Sequence, residues 1–174
     1  MFESSKIVFV CIAAAIFYGT VHDQITARVC LEYFTVFHPP VFATQSPTLL
    51  AFGWGAIASW WVGAFLGVIL AVAARAGTKP KLSAISVCRP VGKLLVVMAG
   101  FALLAGSLGF VLAQRGFILP PEWIRANLPQ PKHARFMADW WAHNTSYAVG
   151  LIGGAILSVL QYRKRVTSQE SVFG

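Results

Sequence analysis

The chain has 174 residues, of which 57% are hydrophobic and only 11% charged, and its formal net charge is +8. Soluble domains carry about a quarter charged residues, so a soluble globular domain is excluded, and the apolar excess excludes disorder. The length of one domain remains, with the composition of a compact polytopic membrane protein.

Four apolar segments follow one another: Ile7 to Ile25, Leu49 to Ala74, Leu94 to Ala113, and Asn144 to Leu160. Each approaches the roughly 20 residues that a helix needs to cross the hydrocarbon. None alternates with the two-residue period of a barrel strand. The reading is an all-α polytopic membrane protein with one transmembrane domain over 1–174 and helices at about 6–34, 47–75, 92–114 and 131–162. An intact first helix is expected rather than a cleaved signal peptide. Its leader carries only Glu3 and Lys6, and no small-x-small cleavage site follows.

Loop one contains Val29–Phe37, too apolar for a free linker, and is expected to continue helix one and then lie along the interface until His38-Pro39-Pro40 breaks it. Ser46-Pro47 has the form of a cap and first-turn proline opening helix two. In loop three, Pro120 to Arg125 is a short interfacial helix stopped by Pro129, and Pro131 opens the last helix. Trp123, Trp140 and Trp141 sit where an aromatic belt belongs. Both loops are expected to fold as a cap over the bundle.

Nine Lys and Arg fall on the side of the termini and the middle loop: Lys6, Arg75, Lys79, Lys81, Arg89, Lys93, Arg163, Lys164 and Arg165. Five fall opposite: Arg28, Arg115, Arg125, Lys132 and Arg135. The positive-inside rule therefore predicts cytoplasmic termini, and anionic lipid accounts for the charge without nucleic acid. Cys11, Cys30 and Cys88 fall in different compartments, so no disulfide is expected.

Helix two carries Ala51, Gly55, Ser59, Gly63, Gly67 and Ala71 at every fourth position, and helix four carries Ser146, Gly150, Gly154 and Ser158. Helix three has a looser stripe of Ala99, Ala102, Gly106, Gly109 and Ala113. Small residues at this spacing let backbones approach closely. Three stripes in one chain favour packing within the bundle over a seam for a homo-oligomer or a partner membrane protein.

All four histidines (His22, His38, His133 and His143) and four of the six acids (Asp23, Glu32, Glu122 and Asp139) lie on the outer side. The cytoplasmic side has only Glu3 and Glu170. His22 lies 16 residues past Lys6, about 24 Å of rise, and His143 lies 20 residues before Arg163, about 30 Å. Both belong just inside the outer end of the bundle. Arg135, Asp139 and His143 repeat at i, i+4 on the face of Gly150 and Gly154; His22 shares its face with Tyr18, Ala15 and Cys11. With helices one and four as neighbours, His22 and His143 point at one space, with Asp23 and Asp139 beside them.

Four chemistries fit these groups. Imidazole and carboxylate suit Zn, Fe or Mn, and His22, Asp23, Asp139 and His143 are the candidate ligands. The same groups suit a proton relay or an acid/base pair acting on a lipid or quinone headgroup. Two opposed histidines suit a b-type haem. The fourth reading is a structural polar network, with Asp139–His143 and Asp23–Arg28 satisfying each other. It would leave a non-catalytic membrane subunit that binds a partner. No HExxH or di-iron ExxH spacing is present. Glu32, Tyr33 and His38 are placed to reach the site or a headgroup from the cap. His133 lies on the same side, Arg135 is placed to neutralise Asp139, and Trp60-Trp61 either line a pocket or pack.

The string His22-Asp23-Gln24-x-Thr26-Ala27-Arg28-Val29-Cys30-x-Glu32-Tyr33-Phe34-Thr35, followed by His38-Pro39-Pro40 and Ser46-Pro47-Thr48-Leu49-Leu50, resembles a family of small bacterial integral membrane proteins of unknown function. The resemblance covers the first half best. It implies an intact protein of the bacterial inner membrane and supplies no activity, substrate or cofactor.

Overall fold

The computed structural model describes residues 2–173, with side chains described over 2–167. Glu170 therefore lies outside the described side chains. Every regular element among the described residues is helical: α1 (Phe2–Val29), a π-helical turn (Tyr33–Phe37), α2 (Pro47–Arg75), α3 (Ala84–Gln114), the one-turn α4 (Glu122–Arg125), a 3-10 turn (Gln130–Lys132) and α5 (His133–Phe173). The helices α1, α2, α3 and α5 are long and apolar enough to cross a membrane. They run up and down as two close antiparallel pairs, α1 with α2 and α3 with α5.

Local chemistry accounts for most of the boundaries. Helix α2 occupies its expected span: Ser46 Oγ accepts the Leu49 N–H at 3.4 Å, and Pro47 needs no partner in the first turn. Helix α3 starts at Ala84, not near 92, because Glu3 of α1 accepts the orphan Ala84 N–H at 3.1 Å. Pro90 falls early in this helix and is tolerated there. Helix α5 outlasts its expected end at 162. The Arg163–Arg165 charges do not stop it, because Arg165 turns inward and is only 1% exposed. Its guanidinium donates to the carbonyls of Ala73, Ala76, Lys79 and Pro80 and so ties the end of α2 to the loop that follows.

Helix α1 departs most from expectation. It ends at Val29 instead of running to about 34, and after an interruption at Cys30 the chain stays helical to Phe37, where His38-Pro39-Pro40 ends it as expected. The chain then folds over the bundle end and buries Tyr33 and Phe34 against Leu50, Trp54 and Phe136. Burying two aromatic rings, each worth about 1.5–3 kcal/mol in removed apolar surface, outweighs a few more helical hydrogen bonds. Together with Ile124, Leu128 and Met137, these residues form the core of a cap. A second core, around Ile7, Leu70, Ala74 and Val87, closes the basic end.

The glycine stripes set the spacing inside the molecule. A methyl group at Gly55 would lie 2.5 Å from the Thr20 backbone nitrogen, and one at Gly63 would lie 2.6 Å from the Cys11 carbonyl. Gly109 meets Met137 and Trp141 of α5 in the same way. Trp60 and Trp61 point outward, 51% and 52% exposed, with many other apolar side chains on the bundle surface. They line neither of the two cavities described below, and their exposure suits a lipid surround.

Gly55→Ala is expected to destabilise the bundle by about 1–3 kcal/mol, because the backbone of Thr20 cannot yield. Gly100→Ala, with nothing within 4 Å of the added carbon, is expected to leave stability unchanged or raise it. Thermal unfolding in detergent checks the contrast, and equal midpoints would refute this account of α1–α2 packing.

Candidate functional site

Below the cap, α1 and α5 face each other across the bundle axis. Tyr18, His22 and Asp23 come from α1, and His143 and Ser146 come from α5, on the small-residue faces that point inward. Tyr18 and Ser146 join through their hydroxyls at 2.8 Å. One turn nearer the cap, the His22 and His143 rings meet edge to face with centroids 4.5 Å apart. Asp23 Oδ1 lies 3.3 Å from His22 Nδ1 and 3.2 Å from His143 Nε2. The ligand-capable atoms of these three residues all lie within 4.8 Å of one another. Their side chains are nearly buried, 8% exposed for Asp23 and 10% and 12% for the two histidines.

Hydrogen-bond chemistry restricts what this cluster contains. His143 Nδ1 lies 2.8 Å from the Asp139 carbonyl oxygen, which only accepts, so Nδ1 carries a proton. In a neutral ring Nε2 is then a bare lone pair, and it faces a carboxylate oxygen. Two lone pairs do not rest 3.2 Å apart without a cation between them. That cation is a proton, carried by the ring or by the Asp23 carboxyl, or a metal ion. No Lys or Arg lines the cavity of about 150 Å³ around the cluster, so no side-chain cation takes this role.

The cap closes the site from above. Tyr33 stacks on His143 with centroids 4.3 Å apart, and His38 lies 4.6 Å from the Trp54 ring. His38 Nδ1 donates to the Tyr33 carbonyl at 2.8 Å, which anchors the π-helical turn. Glu32 reaches away from the cluster and pairs with Lys132. Burial works against the Glu32 carboxylate, yet the hydrogen bond and charge of Lys132 hold it below the usual carboxylate range. Burial pushes the Cys30 thiol up to about 12, so it is an inert apolar group.

Several sequence expectations need correction. Arg28 does not pair with Asp23; its guanidinium bonds the Gln24 carbonyl and side chain and the Thr48 hydroxyl on the bundle surface. Arg135 is exposed while Asp139 is 1% exposed, and no ion pair joins them among the described residues. A spacing of four puts two side chains on one stripe, but the polar arginine turns out to solvent while the helix buries the next turn. Asp139 meets His143 through its backbone, and its carboxylate stays outside the three-residue cluster with Oδ2 unpartnered. His133 Nε2 bonds the Leu128 carbonyl at 3.0 Å, apart from the site. A porphyrin has no room between rings whose centroids are 4.5 Å apart. Tyr33 reaches the histidines from the cap, as a stacking ring on His143, while helical spacing alone missed Ser146 as their neighbour, although it was visible on the small-residue stripe of helix four.

Burial among aromatic rings pushes the His38 imidazole below its ordinary value of 6.5, against the opposing hydrogen bond to Tyr33. The unfolded chain then binds more protons just below pH 6.5, so stability is complete above that pH and is lost as pH falls. The unfolding midpoint is expected to drop between pH 7.5 and 5.5, with a shallower drop in His38→Gln; parallel curves would show that His38 is not the group responsible.

No protein-family model, curated protein or solved structure matches this chain.

Proposed function

We propose that this is a metal-binding integral membrane protein, in which His22, Asp23 and His143 hold one divalent transition ion at the cap end of the bundle. The observation that carries this reading is the 3.2 Å approach of His143 Nε2 to Asp23 Oδ1, with His143 Nδ1 already engaged by the Asp139 carbonyl, beside a cavity that no Lys or Arg lines. Ligands placed tetrahedrally around Zn, at about 2.0–2.1 Å each, are separated by about 3.3 Å. The 3.2 and 3.3 Å spacings around Asp23 Oδ1 fit that figure. Two imidazoles and one carboxylate leave coordination positions open, as in sites where Zn or Fe polarises water or substrate. The Asp139 carbonyl fixes the His143 tautomer, the usual task of a group behind a metal ligand.

Purified full-length protein loaded with Zn(II), Mn(II) or Fe(II) and desalted is expected to retain about one ion per chain. Asp23→Asn and His143→Ala are expected to weaken retention at least tenfold, as loss of a direct ligand should. His133→Ala is expected to retain the ion. Absence of stoichiometric metal, or full retention in His143→Ala, would leave a proton on the ring or the carboxyl and reduce the cluster to a structural network.

The proposed setting is a bacterial inner membrane, with both termini in the cytoplasm and the site at the outer face. The nine-to-five division of Lys and Arg supports this orientation, as does the resemblance of the His22–Leu50 region. Reporter fusions at Gly77 and Gln130 are expected to read cytoplasmic and outer respectively; the reverse pattern would invert the orientation.

A further inference from the structure

A second cavity, of about 560 Å³, lies between α1 and α3, the two helices that run parallel in neighbouring pairs. Phe17, Ile25, Val96 and Leu103 form its rim, and all four are strongly exposed on the flank of the bundle. The crevice therefore opens sideways, toward lipid. Along α1 it extends from Phe17 to Val29, about 18 Å of rise, so it reaches from mid-bundle to the cap end. Its floor is Ala138, Asp139 and Ala142 of α5, which Gly106 of α3 lets approach closely.

Two lining residues carry polar atoms that nothing satisfies. Asp139 Oδ2 and His22 Nε2 are buried and have no hydrogen-bond partner. A buried polar atom in an apolar setting is costly unless a partner reaches it. Both residues lie toward the cap end, where the head of a membrane amphiphile belongs, and the walls below them are apolar. No Lys or Arg lines the crevice, so it offers nothing to a phosphate or a free carboxylate.

We infer that the α1–α3 crevice is a binding site for an uncharged, hydroxyl-headed lipid. The chain lies along Phe17, Leu95 and Ala99, and the hydroxyl donates its proton to Asp139 Oδ2 and accepts from the N–H at His22 Nε2. The polar atoms this site uses are distinct from those of the metal proposal, although Tyr18, His22 and Leu95 border both cavities. Asp139 and the α3 residues take no part in the three-residue cluster, and His22 Nε2 is not the nitrogen beside Asp23. The two readings therefore fail separately.

The test is native mass spectrometry of the full chain in detergent, titrated with 1-oleoylglycerol and, in parallel, with oleoyl lysophosphatidate. The neutral lipid is expected to bind at least tenfold more tightly. Asp139→Leu is expected to weaken it about tenfold by removing the acceptor. Ala99→Phe, which fills the crevice from α3 without touching Asp139, is expected to abolish binding. Should Asp139→Leu fail to fold, Asp139→Asn puts a donor in the place of an acceptor at equal size, and it is expected to weaken binding too. Equal affinity for the anionic lipid would overturn the proposal and indicate nonspecific adsorption of chains. Wild-type affinity in either folded variant would also overturn it. Metal content measured on the same samples reports on the cluster independently.

Discussion

The interaction on which this molecule turns is the contact of one carboxylate oxygen, Asp23 Oδ1, with two imidazoles from opposite sides of the bundle. An ionised carboxylate taken out of water is costly, and no basic side chain comes to meet it. The compensation comes through His22 and His143, either as a proton or as a metal cation that they share. A polar cluster at this depth therefore constrains the fold as well as serving the site: α1 and α5 have to present these faces to each other. Tyr33 then shields the cluster by stacking on His143, so the cap is part of the same arrangement.

That convergence depends on how closely the helices approach. Gly55 and Gly63 admit the backbone of α1, and Gly106 and Gly109 admit that of α5. With larger residues there the helix pairs would spread, and His143 would lose its reach to Asp23. The glycines serve the chemistry indirectly, by setting the width of the space between α1 and α5. The same close pairing of α1 with α2 and of α3 with α5 leaves α1 and α3 less tightly joined, which is why a lateral crevice opens there and nowhere on the opposite flank among the cavities described.

The number of helices was legible because each apolar run is long enough to cross hydrocarbon and is bounded by proline, serine or basic residues. Helix α2 matched at both ends because Ser46-Pro47 and Arg75 are local signals. The end of α1 was not legible: Val29–Phe37 is equally apolar as helix or as cap, and the burial of Tyr33 against Phe136 decides between them. At the site, depth was readable from the basic anchors, which put His22 and His143 at one level. Partner choice was not. Arg28 and Arg135 stand at good helical spacings from Asp23 and Asp139, yet both remain at the surface, because bringing a guanidinium inside would leave most of its five donors without acceptors.

Arg165 shows that this scaffold can satisfy a buried charge when it has to. At the basic end its guanidinium finds four carbonyl oxygens, from the end of α2 and the loop beyond, and is left lacking little. At the cap end the same scaffold leaves Asp139 Oδ2 and His22 Nε2 without partners, although Thr26 and Ser107 line the same crevice. Gln161 also leaves an oxygen unpaired, but a neutral amide is far less costly to strand than a carboxylate. The contrast between the two ends is a matter of access. Arg165 is enclosed by its own chain, whereas the unpartnered atoms, themselves buried, belong to residues that line a crevice open to the surroundings. Unmet polar atoms in residues beside an entrance are where a ligand could contribute what the protein omits, and they lie at the end of the bundle opposite its basic anchor.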